Sequence, residues 1–334
     1  VRRIFLPGVL RLGVGAALLT SICSAQPAVA EAPTPVAVSA SPIERFDART
    51  PIGGTYGSLV FRGGLALSSR DPEFGGLSGL RLSADGARFA AVSDKGRWFT
   101  GALRYEGDRL AGVDAVSGVA LTPPAGGKAL RWRKFDTESL EIEGRSAWVG
   151  VEGLNEVARY ALDGDGLPGA GRRVPLPREA ARAPGNAGFE AIATRSDGAL
   201  VIVAERFLDA EGDNRAFVVG SKTPFAFTVR RSNDFSPTDL ARLPDGDFVL
   251  LERRFIRPFS LSVRMRLLAA KDIRAGAVVD GPVLMEASLA QAIDNLEGIA
   301  VHRAADGAIV ITVVSDDNYS VLQRTLMLQF ELRR

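Results

Sequence analysis

The chain has 334 residues, 46% hydrophobic and 24% charged, with 41 basic and 39 acidic side chains. That composition suits a folded domain and excludes disordered and collagen-like architectures. Its 36 glycines and 18 prolines recur between short apolar runs, which argues against a helix-rich fold and predicts many short strands.

Residues 1–30 read as an export signal: Arg2, Arg3 and Arg11 make a positive start, Leu12 to Ile22 is apolar, and Ala28-Val29-Ala30 offers a small-residue cleavage site. Arg2-Arg3-Ile4-Phe5-Leu6 fits the core of a twin-arginine signal, and the general secretory route is the alternative. Either route predicts a periplasmic or secreted protein. No later stretch approaches membrane length, so the mature chain is expected to have no membrane span. Taking the three signal arginines from the 41 basic residues leaves 38 against 39 acidic ones, a net charge of −1. The pI near 8.9 is therefore no argument for a nucleic-acid partner. Cys23, the one cysteine, would leave with the signal, and with it any disulfide, thiolate metal site or cysteine nucleophile.

Residues 31–42, rich in Ala and Pro, are expected to form a flexible leader, and 43–334 a single domain. Within that domain a strand-turn-strand unit repeats five times. The first copy runs Leu77 to Leu82, turns at Asp85-Gly86 and returns through Phe89 to Asp94. The second pairs Thr137 to Ile142 with Ala147 to Glu152. The third pairs Phe189 to Ala193 with Leu200 to Glu205 around Asp197-Gly198, and the fourth pairs Thr238 to Leu240 with Phe248 to Glu252 around Asp245-Gly246. The fifth pairs Leu296 to Val301 with Ile309 to Asp316 around Asp306-Gly307.

Asp-Gly between alternating runs is a strong hairpin signal, because a two-residue turn needs positive φ at its centre. Successive copies lie 60, 52, 49 and 58 residues apart, the length of a four-stranded propeller blade. The fold expected is an all-β propeller of five blades, or six if residues 43–70 form more than one strand of their own. The last blade lacks an outer strand, and Leu59 to Leu67 would supply it and close the ring.

Most of the hairpins carry an acid near both open ends. Taking the Asp-Gly turns as centres places Glu190 opposite Glu205, Asp239 opposite Glu252 and Glu297 opposite Asp316, with Glu138 and Glu152 within one residue of facing. Since first strands line a propeller's central channel, these acids would ring one mouth of it. Like charges facing each other are destabilising unless a proton or cation intervenes. Hard divalent cations prefer such oxygen-only surroundings, Ca²⁺ above all. The other reading is structural: Lys95, Arg206, Arg253 and Arg254 follow the acids and would neutralise them as salt-bridged blade tips.

Elsewhere, Ser315-Asp316-Asp317-Asn318-Tyr319 reads as further oxygen ligands or as a polar turn. Asp209 to Asn214 starts like a calcium loop, but Gly220 stands where a bidentate Glu is required, so a solvated loop is expected. His302, the one histidine, lies five residues from Glu297, roughly 17 Å along a strand, which disfavours a Ser-His-Asp triad at the acids. Without histidine clusters or cysteines a zinc or transition-metal site is disfavoured too, and metal-assisted hydrolysis among carboxylates is the route left.

The runs Gly75 to Leu80, Asp136-Thr137-Glu138-Ser139-Leu140, Gly188-Phe189-Glu190-Ala191-Ile192, Asn295-Leu296-Glu297-Gly298-Ile299 and Ser315 to Tyr319 together resemble the phytase-like domain family, over roughly residues 55–332. That family comprises bacterial exported proteins described as having esterase-like activity of phytase. The resemblance implies phosphoester or carboxylester hydrolysis of a small molecule, without assigning catalytic residues. Calcium-dependent propeller phytases look architecturally similar, though this chain does not reproduce their ligand pattern and Ser78 interrupts the acidic column. The expected site has Glu138, Glu190, Asp239 and Glu297, backed by Glu152, Glu205, Glu252 and Asp316, holding Ca²⁺, with Lys95, Arg206 and Arg253 on the substrate phosphate. A non-catalytic propeller binding a ligand or partner on the same face is the alternative.

Overall fold

The computed structural model describes Val1 and residues 32–124, 135–152, 154–184, 188–256 and 260–333. Apart from Val1, the export signal expected over residues 1–30, Cys23 included, lies outside the described residues. Among the described residues there is no α-helix, and no helix is long and apolar enough to cross a membrane.

Five antiparallel sheets form the five blades of a propeller. Blade 1 runs from its inner strand outward as Leu77–Leu82, Arg88–Ser93, Arg97–Glu106 and Arg109–Ala120, and blade 2 as Thr137–Glu143, Ser146–Val151, Glu156–Ala161 and Arg172–Arg173. Blade 3 comprises Ala191–Thr194, Leu200–Leu208, Asn214–Val219 and Phe225–Val229, with Val278–Val279 added in parallel at its edge. Blade 4 comprises Ser236–Arg242, Phe248–Ile256, Ser260–Leu268 and Val283–Ser288. Blade 5 starts with Asn295–Arg303, Ile309–Asp316 and Thr325–Leu332, and its fourth strand is Leu59–Ser69 from the other end of the chain. The ring is thus closed as expected. Pairing the two chain ends in one sheet removes the open edge that would otherwise invite association.

The Ala/Pro-rich leader behaves differently from its composition. Val38–Ile43 pairs with Ser69 to Gly64 as a further strand of blade 5, and Thr34–Pro35 pairs with Ser117 and Gly118 on the edge of blade 1. Edge strands accept proline because the missing N–H faces away from the sheet.

The core is divided into five apolar clusters, one between each pair of neighbouring blades. Each blade is therefore buried on both faces, which is why its inner strands read as continuous apolar runs. Leu200 to Ala204 is buried at every position. Close blade approach needs small residues on the inner strands. A Cβ on Gly79 would stand 2.8 Å from the Leu140 backbone nitrogen, and one on Gly298 3.0 Å from that of Leu80.

At the centre the channel is plugged by Arg81. Its guanidinium donates to the carbonyls of Leu80 (2.6 Å), Ile192 (2.7 Å), Leu240 (2.9 Å) and Ile299 (2.7 Å), and pairs with Glu141 (2.7 Å) and Asp239 (3.0 Å). These partners come from the inner strands of all five blades. Asp239 also accepts the Ile299 N–H at 2.9 Å, and Glu141 the Thr194 N–H at 3.0 Å.

Removing one side of a buried charge network leaves the other uncompensated, at a cost of about 3–5 kcal/mol. Arg81→Met is expected to lose stability of that order in urea unfolding, and adding Asp239→Asn with Glu141→Gln should restore a measurable part of it. An Arg81→Met protein as stable as the parent would mean that the plug is dispensable.

Candidate functional site

The hairpins place the acids, but not in the pairing that their turns predict. Three of the Asp-Gly turns are five-residue loops rather than two-residue ones. In the third copy Arg195 N–H bonds Ala199 O (2.7 Å) and Gly198 N–H bonds Arg195 O (2.9 Å), with Gly198 at φ +80°. The fourth and fifth copies repeat this over 243–247 and 304–308. Such a loop centres the hairpin half a residue from the expected point, so Ala191 faces Val203 and Asp239 faces Leu251.

A β-bulge then interrupts the inner strand at Ser78, Glu138, Thr238 and Glu297. In blade 3 the same shift falls at Glu190, since Ala191 faces Val203 while Glu205 N–H reaches Gly188 O at 3.0 Å. A bulged residue is freed from the ladder and re-aimed, which is how such positions serve sites. The structural column is therefore Ser78, Glu138, Glu190, Thr238 and Glu297. Thr238, not Asp239, takes the fourth place: its hydroxyl donates to Leu296 O (3.3 Å) as that of Ser78 does to Thr137 O (2.5 Å). Beyond the bulges, Glu152 stands opposite Asp136 and Asp316 opposite Asn295.

Two of the eight expected ligands are spent elsewhere. Asp239 lies below the mouth, fully buried in the Arg81 plug. Glu252, also fully buried, is clamped by Arg264 and Arg266 with contacts of 2.7 to 3.1 Å, because Arg264 is its cross-strand neighbour. Neither carboxylate has room for a cation.

The remaining acids gather at the mouth above the plug. Asp136, Glu138 and Glu152 each bring a carboxylate oxygen within 4.8 Å of the others, and so do Glu152, Glu190 and Glu205. Glu152 belongs to both triplets. Glu297 accepts from Asn295 Nδ2 at 2.8 Å, and the same amide donates to Asp316 at 3.1 Å. Asp94 closes the ring on the blade 1 side, with Oδ1 buried and without a hydrogen-bond partner. Asp136, Asp94 and Asn295 are the residues that reading hairpin centres misses. The usable signal for two of them was the position two residues before the bulged Glu138 and Glu297, where Asp136 and Asn295 stand.

Of the basic residues, Arg253 is central: it pairs with Glu297, bonds Asn295 and lies 3.7 Å from Glu205. Arg206 is exposed and pairs with Glu205 at 3.1 Å. Lys95 is exposed at the rim, its Nζ 3.1 Å from the centroid of the Tyr319 ring. The Ser315–Tyr319 segment forms a polar turn, with Asp317 accepting the N–H groups of Gly76 (2.9 Å) and Tyr319 (3.0 Å). The 209–214 loop is likewise a turn, closed by Asp209 accepting from Glu211 and Asp213.

Burial is the main force on these carboxyls. It pushes Glu138 and Glu190 well above the usual range, with Glu297 and Glu205 respectively the largest neighbouring charges adding to it. Glu152 rises to about 7, through burial and then Asp136; Asp94 to about 7, through burial and then Asp136; Asp316 to about 8, through burial and then Glu297. Burial also raises Glu297, against the pull of Arg253. The donor set is all oxygen, one of its atoms is an orphaned buried acceptor, and its carboxyls outnumber the basic side chains Arg253, Arg206 and Lys95 beside them. Those features fit a hard divalent cation such as Ca²⁺.

A five-bladed propeller with a carboxylate cup over a plugged channel defines the class of protein. The chain belongs to the phytase-like family, described as esterase-like activity of phytase, which it matches over residues 72–319. None of the curated proteins matches it. Among solved structures it is similar to the PQQ-bound aldose sugar dehydrogenase of Streptomyces coelicolor (12% identity, 90% of this chain and 99% of that one, TM-score 0.42). It is also similar to Myxococcus xanthus glutaminyl cyclase (11% identity, 78% and 92%, TM-score 0.40). At these scores neither likeness carries a functional argument.

A carboxyl whose pKa is raised on folding binds a proton more tightly in the native state, so stability falls as pH climbs from the unfolded value near 4 through the folded one. For Asp94, Glu152 and Asp316 that window closes at about 7 to 8. In chelator, the melting temperature is expected to drop between pH 5 and pH 8 more steeply than in a Glu138→Gln/Glu190→Gln variant. Equal slopes would show that the cup does not govern the titration. Glu252→Gln is expected to lower the melting temperature at both pH values, leaving any Ca²⁺-dependent shift intact.

Proposed function

We propose that this protein is an exported hydrolase of small phosphoesters or carboxylesters, with Ca²⁺ held in the acidic cup. The observation that carries this reading is the pair of carboxylate triplets sharing Glu152 at the mouth of a plugged channel. Asp136, Glu138, Glu152, Glu190 and Glu205 would hold the cation, with Glu297 and Asp316 beside them. Bound there, Ca²⁺ supplies positive charge against the charge developing on the ester and acidifies water.

The chain's own groups supply the rest. Arg253, with Arg206 and Lys95 at the rim, would bind the substrate's anionic oxygens, exchanging present partners for them. Asp94 and Asp316, which border the cup beside the cation ligands, would pass a proton to the leaving oxygen. Arg81 seals the floor, so substrate enters and product leaves by the same mouth.

The second reading, a binding propeller without turnover, is favoured by one observation: Arg253 already neutralises Glu297 and approaches Glu205. Hydrolysis of p-nitrophenyl phosphate and p-nitrophenyl acetate separates the two. The hydrolase should turn over at least one of them, lose activity in EDTA and regain it with added Ca²⁺. Glu190→Gln is expected to lower kcat by about 10²-fold or more. A Ca²⁺-dependent rise in melting temperature without turnover of either ester would establish the binding reading instead, and activity untouched by chelator would exclude the cation.

A further inference from the structure

Leaving aside Val1, seven large apolar side chains among the described residues stand about half exposed or more, and five of them share one end of the molecule. These are Phe255, Ile256, Leu289, Val321 and Leu322, all at the mouth end of blades 4 and 5. The strand Phe248–Ile256 leaves its turn on the far face, passes Glu252 and Arg253 at the mouth and carries Phe255 and Ile256 beyond it. Ser288, the last residue of the outer strand, faces Ser262, which faces Arg254, so Leu289 emerges at the same end. Asp316 ends its strand at the cup, and Val321 and Leu322 lie on the loop that follows. Single exposed apolar residues need no explanation, whereas a grouped set marks an interaction site.

The three segments adjoin one another. In the unbroken register of its strand, Phe255 lies on the same sheet face as Leu251 and Arg253, the face packed on blade 5. Arg253 reaches Asn295 and Glu297 from there, and Phe255 stands one step outward, roughly 7 Å along the strand. Leu289 begins the link that crosses from blade 4 to blade 5. The loop carrying Val321 and Leu322 is tied to that link, since Arg324 N–H bonds Asp294 at 3.1 Å and its guanidinium bonds Ile293 O at 3.2 Å. An apolar rim thus borders one side of the acidic cup.

The form of the rim selects its partner. Val321 and Leu322 are 101% and 90% exposed, so neither has a wall beside it against which a small ligand could lie. Five tips also fall short of the roughly 20 residues and ~800 Å² a side that a specific protein interface needs. A lipid layer closes round a protruding side chain from every direction and asks for neither groove nor flat face. Charge favours the same partner. Arg254 and Arg324 stand among the tips, partly exposed, with contacts to Glu286 and Asp294 of only 3.8 and 3.7 Å, which leaves donors for lipid phosphates. The acids of the neighbouring cup weigh against a surface of net negative charge. That leaves a zwitterionic headgroup, whose phosphate is offset by an ammonium.

We propose that the rim of blades 4 and 5 docks this protein on a zwitterionic phospholipid bilayer, with the five apolar tips inserted at the headgroup boundary and Arg254 and Arg324 on the phosphates. The cup then opens against the headgroup layer. Docking is independent of the reaction proposed for the cup and is read without turnover.

The test is flotation with phosphatidylcholine vesicles, using the chain from Glu31, which contains all five blades and lacks the apolar run Leu12 to Ile22. A single myristoyl chain binds a bilayer with a constant of about 10⁴ M⁻¹, and shallow tips should do no better, so half of the protein should float at a lipid concentration on the order of 1 mM. Val321→Ser/Leu322→Ser removes no packed surface and should weaken partitioning at least about tenfold, while melting as the parent does. Phe255→Ser should weaken it as well, and Val283→Ser, at the turn end of its strand, should leave it unchanged. The proposal is overturned if the parent does not float at about 10 mM lipid, if the double variant floats as the parent does, or if flotation requires phosphatidylglycerol. It is equally overturned if light scattering finds a dimer that the double variant converts to monomer, which would make the rim an interface between two copies of the chain.

Discussion

Everything in this molecule is arranged around one guanidinium. A propeller leaves a channel where its inner strands converge, and backbone carbonyls of four of those strands turn toward its centre and need donors. Arg81 answers that problem with five donors in a plane, reaching inner strands of all five blades and anchored by Glu141 and Asp239. Arginine suits the position because its charge is permanent and its fork satisfies several acceptors at once. The plug converts a pore into a cup floored by a buried ion network.

The cup accumulates carboxylates that would repel one another in any flexible setting. They stay together because the blades behind them are packed on both faces and cannot spread. The bulge is the local device: one extra residue in each inner strand turns Glu138, Glu190 and Glu297 out of the ladder, while Ser78 and Thr238 in the same column instead bond carbonyls of the next blade. The column is thus divided between acids that face the mouth and hydroxyls that bond carbonyls of the next blade. The acids lie on blades 2, 3 and 5, and the hydroxyls stitch blades 1 and 4 to their neighbours.

Comparison with the far face is instructive. There, where the hairpin turns of blades 1 and 5 meet, the lining of a cavity mixes one arginine, a neutral histidine and carboxylates with apolar walls. The two ends of one strand, Asn295–Arg303, therefore present different chemistry: Glu297 in an acidic cup at one end, His302 in a cavity of mixed polar and apolar lining at the other. A propeller allows this because its blade ends are independent surfaces joined only by strand backbone.

The repeat of hairpins, the blade number and the closing strand Leu59–Ser69 were legible in the order of residues, because a strand's period and the Asp-Gly turn are local properties. Six of the eight acids assigned to the mouth from their spacing reach it for the same reason. What sequence alone could not settle was a displacement of one residue. Five-residue turns and bulges are decided by how a twisted strand packs against the next blade, and they moved Asp239 into the plug and put Thr238 in its expected place. Charge partnership likewise belongs to the tertiary structure. Glu252 reads like Glu205 in the chain, yet Arg264 stands beside the one and a shared carboxylate cluster beside the other, since only the folded sheets determine which strand lies next door.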